Sequence, residues 1–151
     1  MKNIKTIIIL IFLILLSSCA TKVDKKIDSA YVMVYDYDNC GVMDALFFMD
    51  GKELGKTDIY GRFMFNATKG KIHTFLIRKD GYEEIEITTT VSPGQLLYFK
   101  IGTGSYYAKE AEYFLDCRDY SEAKRMINKA LKIKERKDWL FLKEIIEREE
   151  I

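Results

Sequence analysis

The stretch Glu84-Ile85-Glu86-Ile87-Thr88-Thr89-Thr90-Val91 decides the fold class, because Glu84, Glu86, Thr88 and Thr90 alternate strictly with Ile85, Ile87, Thr89 and Val91. Successive side chains of a strand point to opposite faces, so the segment is a strand with one face in a core and the other in water. Outward from it the same period of two recurs. Six strands are predicted, over 30–37, 44–49, 61–66, 72–79, 83–91 and 95–101, punctuated by Asp50-Gly51, Tyr60-Gly61, Lys69-Gly70, Asp80-Gly81 and Pro93-Gly94. Ala45, Phe47, Met49, Phe63, Phe65, Phe75, Ile77, Leu97, Phe99 and Ile101 form the apolar sets of the later strands. The first strand carries Tyr31, Met33 and Tyr35 on one face and Val32 and Val34 on the other.

After Gly102 the apolar period lengthens to that of a helix, and residues 105–150 contain no Gly or Pro. Three helices are predicted, over 105–117, 120–135 and 138–150, with Asp119 as the N-cap of the second and Glu122 as its capping-box partner. Ala111 and Ala123 allow two helices to approach closely. The expected fold class is α+β, a small antiparallel β-sandwich over 30–102 followed by a C-terminal three-helix, repeat-like segment over 103–151.

Of the 151 residues, 48% are apolar and 31% charged, a globular balance. Lys2 and Lys5 are two of the 24 basic residues and precede residue 19, so the rest sets 22 basic side chains against 23 acidic ones. That part is near neutral, which excludes the dominant basic field of a nucleic-acid-binding protein and the acidic excess of a disordered solvating chain.

Lys2 and Lys5 lead into an unbroken apolar run from Ile7 to Leu16, ten residues where a membrane-spanning helix needs about twenty. The run ends in Leu16-Ser17-Ser18-Cys19. Small residues there let the backbone lie extended in a protease cleft. The tetrapeptide resembles the lipobox of bacterial lipoproteins. The resemblance implies that residues 1–18 are a signal peptide, that Cys19 is acylated and that the protein is held on a bilayer in the cell envelope. Ala20, where an Asp would suggest inner-membrane retention, leans toward the outer membrane if the source has two. Residues 19–29 read as a lipidated tether, with a reach on the order of 20 Å.

Two overlapping resemblances cover about residues 40–101. Ala45-Leu46-Phe47-Phe48-Met49-Asp50-Gly51-Lys52 with Leu54-Gly55-Lys56-Thr57, and later Lys79-Asp80-Gly81-Tyr82, resembles a PEGA domain, although Asp58 stands where that pattern usually has Pro. Thr57-Asp58-Ile59-Tyr60-Gly61-Arg62-Phe63 resembles the hairpin of the carboxypeptidase regulatory-like, transthyretin-like sandwiches. Both imply a β-sandwich accessory module, with Gly61 and Gly81 at turns and Phe63 and Tyr82 filling the interior. Tyr107, Ala111, Phe114, Ala123, Ile127 and Ala130, with the turn Asp119-Tyr120-Ser121-Glu122-Ala123, resemble one tetratricopeptide repeat. Arrays of such units generally need about three copies, so the segment is expected to pack on the sandwich or on a partner.

Chemistry-bearing motifs are sparse. His73 is the single histidine and falls on a predicted strand, where a hydrogen-bonded sheet residue is the expected role, and no glycine-rich phosphate loop precedes a helix. No enzyme activity, cofactor or metal is expected. Asp36, Asp38, Asn39 and Asp44 cluster around the first loop, but Phe47 occupies the position an EF-hand reserves for Glu, and a solvated turn is expected. Cys40 and Cys117 remain once Cys19 is acylated. They can pair outside the cytoplasm, or Cys117 can serve as the small residue of a helix turn.

Tyr31, Tyr35 and Tyr37, with Tyr60, Tyr98, Tyr106 and Tyr107, make the chain rich in amphipathic rings. These suit glycan stacking, and they equally suit burial under helices packed against the sheet. On the last helix Trp139, Phe141 and Ile145 are candidate partner-binding residues, Leu140 and Phe141 lying off the stripe of Trp139, Leu142, Ile145 and Ile146. Two roles follow for an envelope lipoprotein without catalysis: a module for cell-wall or surface glycan, or an adaptor recruiting a protein of an envelope assembly or secretion complex through its helices.

Overall fold

A computed structural model describes residues 28–150. The leader over 1–18, Cys19 and the tether up to residue 27 lie outside the described residues. The elements run β1 (Ser29–Tyr35), β2 (Leu46–Met49), β3 (Lys52–Lys56), β4 (Arg62–Asn66), β5 (Ile72–Arg78), β6 (Ile85–Thr90), β7 (Leu96–Lys100), α1 (Gly104–Asp116), α2 (Tyr120–Ile133) and α3 (Lys137–Glu149). This is an α+β fold, two small sheets followed by three C-terminal helices.

One sheet has the order β4-β1-β7 and the other β3-β2-β5-β6. All pairings are antiparallel except β1 with β7, which run parallel with Tyr31 opposite Leu96 and Tyr35 opposite Lys100. The sheets are thus antiparallel in the main, as expected, with this one parallel pair. Parallel neighbours need a long crossover, and here the whole second sheet lies between them in sequence.

The inner faces meet over Val32, Val34, Phe65, Leu97 and Phe99 from the first sheet and Phe47, Phe75 and Ile77 from the second, all buried. The Phe47 ring lies 5.2 Å from Phe65 across the interface and 5.6 Å from Phe75 beside it. Burial of each such ring contributes roughly 1.5–3 kcal/mol. The one buried polar side chain in the core, among the described residues, is Thr57. Its hydroxyl donates to the Val42 carbonyl at 2.6 Å and accepts from the Ala45 N–H at 2.9 Å, so it closes the loop before β2 without an unpaired group. Gly61 is required by geometry: its φ is +72°, and an added Cβ would stand 2.1 Å from the Val34 carbonyl oxygen.

Seven strands form where six were expected. β3 reads Lys-Glu-Leu-Gly-Lys and offers one apolar side chain, Leu54, so no alternation marks it. Its existence follows from Asp50 and Gly51, whose positive φ values of 53° and 77° make the tight primed turn that folds β3 back on β2. β1 stops at Tyr35 rather than 37 because the Asp36 carboxylate accepts from the backbone N–H groups of Asp38 and Cys40, bending the chain into a turn.

The helices pack on one another around Tyr107, Ala111, Ala123, Ile127, Ala130, Trp139 and Ile146. Asp119 caps α2 by accepting from the Glu122 N–H at 3.2 Å. The reciprocal half of the expected capping box is absent, because the Glu122 carboxylate turns outward to Arg125, 2.6 Å from Nη2. Among the described residues no strand packs extensively along a helix: the helices are continuous with the end of β7, opposite the end at which β1 begins. The junction is a polar clasp. Glu83, in the loop before β6, accepts from the Tyr107 hydroxyl on α1 and from Lys129 on α2, the latter at 3.2 Å. Lys129 also sits 4.6 Å from the Tyr107 ring centre. The reading in which helices cover the face bearing Tyr31, Met33 and Tyr35 is therefore corrected: among the described residues no helix lies over that face.

Candidate binding face

Alternation along β1 sends Val32 and Val34 inward, so Tyr31, Met33 and Tyr35 must point out. The register then sets their neighbours. Tyr31 stands between Met64 of β4 and Leu96 of β7, and Met33 stands between Arg62 and Tyr98. The outer face is thus graded along its length. An apolar row, Met64-Tyr31-Leu96, lies at the end where the chain enters. Aromatic rings and cations gather at the other end.

At that far end the Tyr35 and Tyr98 rings stack with centres 5.3 Å apart and planes 14° from parallel. Arg62 lies 4.6 Å over the Tyr60 ring, and its guanidinium pairs with Asp58 at 3.2 Å. Backbone N–H groups of Arg62 and Tyr60, together with that guanidinium, hold the Asp58 carboxyl below its usual range. Lys100 donates to the Asn39 side chain at 3.0 Å and sits 5.3 Å from the Tyr37 ring centre. Exposed ring faces bordered by fixed cations and hydrogen-bonding groups can stack on a sugar ring or another amphipathic surface while orienting its polar edge.

The three tyrosines singled out from the sequence do not share one platform. Tyr31 belongs to the apolar row. Tyr35 lies half-buried beside Tyr98. Tyr37, past the strand end, stacks on Tyr106 at 4.3 Å and so joins sandwich to α1. Burial pushes the Tyr106 hydroxyl up, and burial together with the Glu83 hydrogen bond raises Tyr107 far more. Tyr98 belongs to the wider set of tyrosines read from the sequence, but nothing there placed it beside Tyr35, and Arg62 and Lys100 were not singled out for this face. Their signal is present, since Leu96, Tyr98 and Lys100 alternate with buried Leu97 and Phe99, but β1 has no β7 neighbour until the parallel pairing is known.

On α3, Trp139 is buried in the helical core beneath Arg136, whose guanidinium lies 4.7 Å from its ring, and Ile145 is half-buried. Phe141 is 59% exposed with Leu140 beside it. The helix thus presents two neighbouring apolar side chains, not the set of three read from the sequence. Cys40 and Cys117 are exposed free thiols. His73 is satisfied as a sheet residue: its Nδ1 lies 2.6 Å from Asp50, which also accepts from the Thr74 N–H, and these bonds hold the Asp50 carboxyl below its usual range. Asp36 spends its carboxylate on backbone N–H groups, and among the described residues no three His, Cys, Asp or Glu side chains gather as a metal site. A cleft of about 1010 Å³ separates sandwich from helices, lined by Leu46, Arg78, Tyr82, Glu84, Lys129 and Lys132. Arg78 is paired with Glu84, and Lys129 with Glu83.

No protein-family profile and no curated protein matches the chain. Among solved structures it is similar to the TIE protein of Bacillus anthracis, at 15% identity over 50% of this chain with a TM-score of 0.42. It is also similar to BcpA, the major pilin subunit of Bacillus cereus, at 16% identity over 49% of this chain and a TM-score of 0.35. The Caf1A usher C-terminal domain matches at 9% identity over 50% of this chain, again with a TM-score of 0.35. The chain spans 16% of the TIE protein, 27% of BcpA and 97% of the usher domain. Likenesses of this strength carry nothing about function.

Proposed function

We propose that the chain is a non-enzymatic lipoprotein of the cell envelope, acylated on Cys19, whose PEGA-like or transthyretin-like sandwich binds cell-wall or surface glycan on the outer face of β4-β1-β7. The supporting observation is the open face itself. A sheet that leaves Tyr35 and Tyr98 stacked beside Arg62 and Lys100, without a helix over them, presents the ring faces and cations that a polyhydroxylated, partly anionic polymer engages. Because Tyr37 is committed to Tyr106, the working residues are Tyr35, Tyr98, Arg62 and Lys100 rather than the run of three tyrosines in sequence. Co-sedimentation of the mature chain with purified peptidoglycan tests the reading. Retention above that of an unrelated β-sandwich is expected, and none above it removes the glycan assignment.

A second reading has its own observation. Leu140 and Phe141 are both exposed on α3 and suit a protein partner docking on the repeat-like helices. Crosslinking in cells from position 141 tests it. A reproducible envelope protein lost on Phe141→Ala is expected, and its absence counts against an adaptor role.

A further inference from the structure

We infer that the entry end of the sandwich rests in the lipid interface, with Met64, Tyr31 and Leu96 set shallowly into the bilayer surface; this deepens the proposed anchoring through Cys19 and rests on it. Three features place the occupant. The first is reach: nine residues separate Cys19 from Ser29, the first residue of β1, and a chain of that length spans at most roughly 30 Å even when fully extended. A sandwich anchored so closely has its entry end at or near the headgroups whatever its tilt.

The second feature is what that end exposes. Met64, Tyr31 and Leu96 form one row across three strands, exposed by 58%, 44% and 51%, and Ile72 at the start of β5 in the other sheet is 70% exposed. Isolated exposed hydrophobes need no cause, and Met43, Ile59 and Tyr60 are exposed singly at the opposite end, but Met64, Tyr31 and Leu96 are direct cross-strand neighbours in one row. The segments beside the row belong to that end as well, since Ser29 accepts from the Gly94 N–H and Ala67 donates to Asp28. Lys69 and Lys71 stand in the exposed loop between β4 and β5, where their stems can lie along the interface and their ammonium groups meet lipid phosphates. Among the described residues the acids of this end are Asp28, Asp50 and Glu53, set against Lys52, Lys69 and Lys71, with Asp50 bonded to His73. The attraction is therefore mainly interfacial burial rather than net charge.

The third feature is the opposite end, which carries the helices and the clasp at Glu83 and therefore points away from the bilayer. A tyrosine flanked by methionine and leucine suits the boundary between headgroups and acyl chains, where an amphipathic ring keeps its hydroxyl wet.

The single tryptophan, Trp139 in the helical core, supplies a built-in reference. Full-length protein purified from membranes is reconstituted into phosphatidylethanolamine–phosphatidylglycerol vesicles with or without brominated acyl chains, and its mass reports acylation. In separate variants Leu96→Trp and Met64→Trp add an indole to the row, and Ile59→Trp adds one at the opposite end. Brominated lipid is expected to cost Leu96→Trp and Met64→Trp much of their added emission while leaving Ile59→Trp and the unaltered chain unchanged. Acylated protein in which neither row position is quenched more than Ile59→Trp overturns the docked end and leaves the anchor standing. Protein that carries no acyl chain and does not associate with vesicles overturns both.

Discussion

The hydroxyl of Tyr107, on the first helix, donates to the carboxylate of Glu83, in the loop before β6, and this bond with Lys129 joins the helices to the sandwich. Apolar cores lie on either side of it, but neither runs through the junction. Removing one partner of a hydrogen bond to a charged group costs about 1.5–3 kcal/mol. Tyr107→Phe is expected to lower stability by roughly that amount in urea unfolding and to be non-additive with Glu83→Gln. Additive losses would show that the two residues stabilise the fold separately.

Burial of the Tyr107 hydroxyl, and after it this bond, sets an alkaline limit. The folded state holds the Tyr107 proton more tightly than the unfolded chain, whose tyrosines titrate near pH ~10. Its contribution is therefore complete below that value and is lost as pH rises above it. The melting temperature of the wild type is expected to fall above pH ~10 more steeply than that of Tyr107→Phe. Tyr82 and Tyr106 are raised as well, by burial first, and leave a shallower slope in the variant.

Neighbouring positions on α3 should separate core from surface. Trp139→Ala opens a large cavity in the helical cluster and is expected to cost about 3–5 kcal/mol. Phe141→Ala is expected to stay within about 0.5 kcal/mol of wild type in thermal unfolding. A large loss for Phe141→Ala would place its ring in the core and end its candidacy as a partner contact.

Two glycines should also differ. Gly61→Ala drives a Cβ into the Val34 carbonyl, whereas an added Cβ at Gly81 meets nothing and leaves only the cost of a φ of +80°. Expression and melting should show Gly61→Ala severely destabilised, and Gly81→Ala reduced by about 1–2 kcal/mol. Equal losses would mean that the turn at Gly61 relaxes to admit the methyl group.

The strands with strict alternation were readable because one buried face fixes both type and register: Ile85 and Ile87 point in and Glu86 and Thr88 point out, as the sequence requires. β3 was not, because a polar edge strand is set by the Asp50-Gly51 turn and by its partner rather than by its own side chains. The candidate face was half legible. Alternation in β1 put Tyr31 and Tyr35 together, but which strands flank them depends on a parallel pairing of residues about sixty-five apart, and nothing local encodes that. That no described helix covers the face is not legible in the sequence for a related reason. An amphipathic helix shows that it needs a partner and not which one, and here α1, α2 and α3 satisfy one another.

The glycan-binding face is tested most directly by co-sedimentation of the mature chain with purified peptidoglycan, comparing wild type, Tyr98→Phe and Tyr98→Ala. Truncating a central aromatic anchor costs over ~1 kcal/mol of binding, about a fivefold loss or more. The expected result is retention by wild type and Tyr98→Phe, clear loss by Tyr98→Ala, and unchanged melting for all three, since Tyr98 projects from the sheet with 57% of its surface exposed. Equal retention of all three proteins, or retention of none, would contradict the assignment of this face.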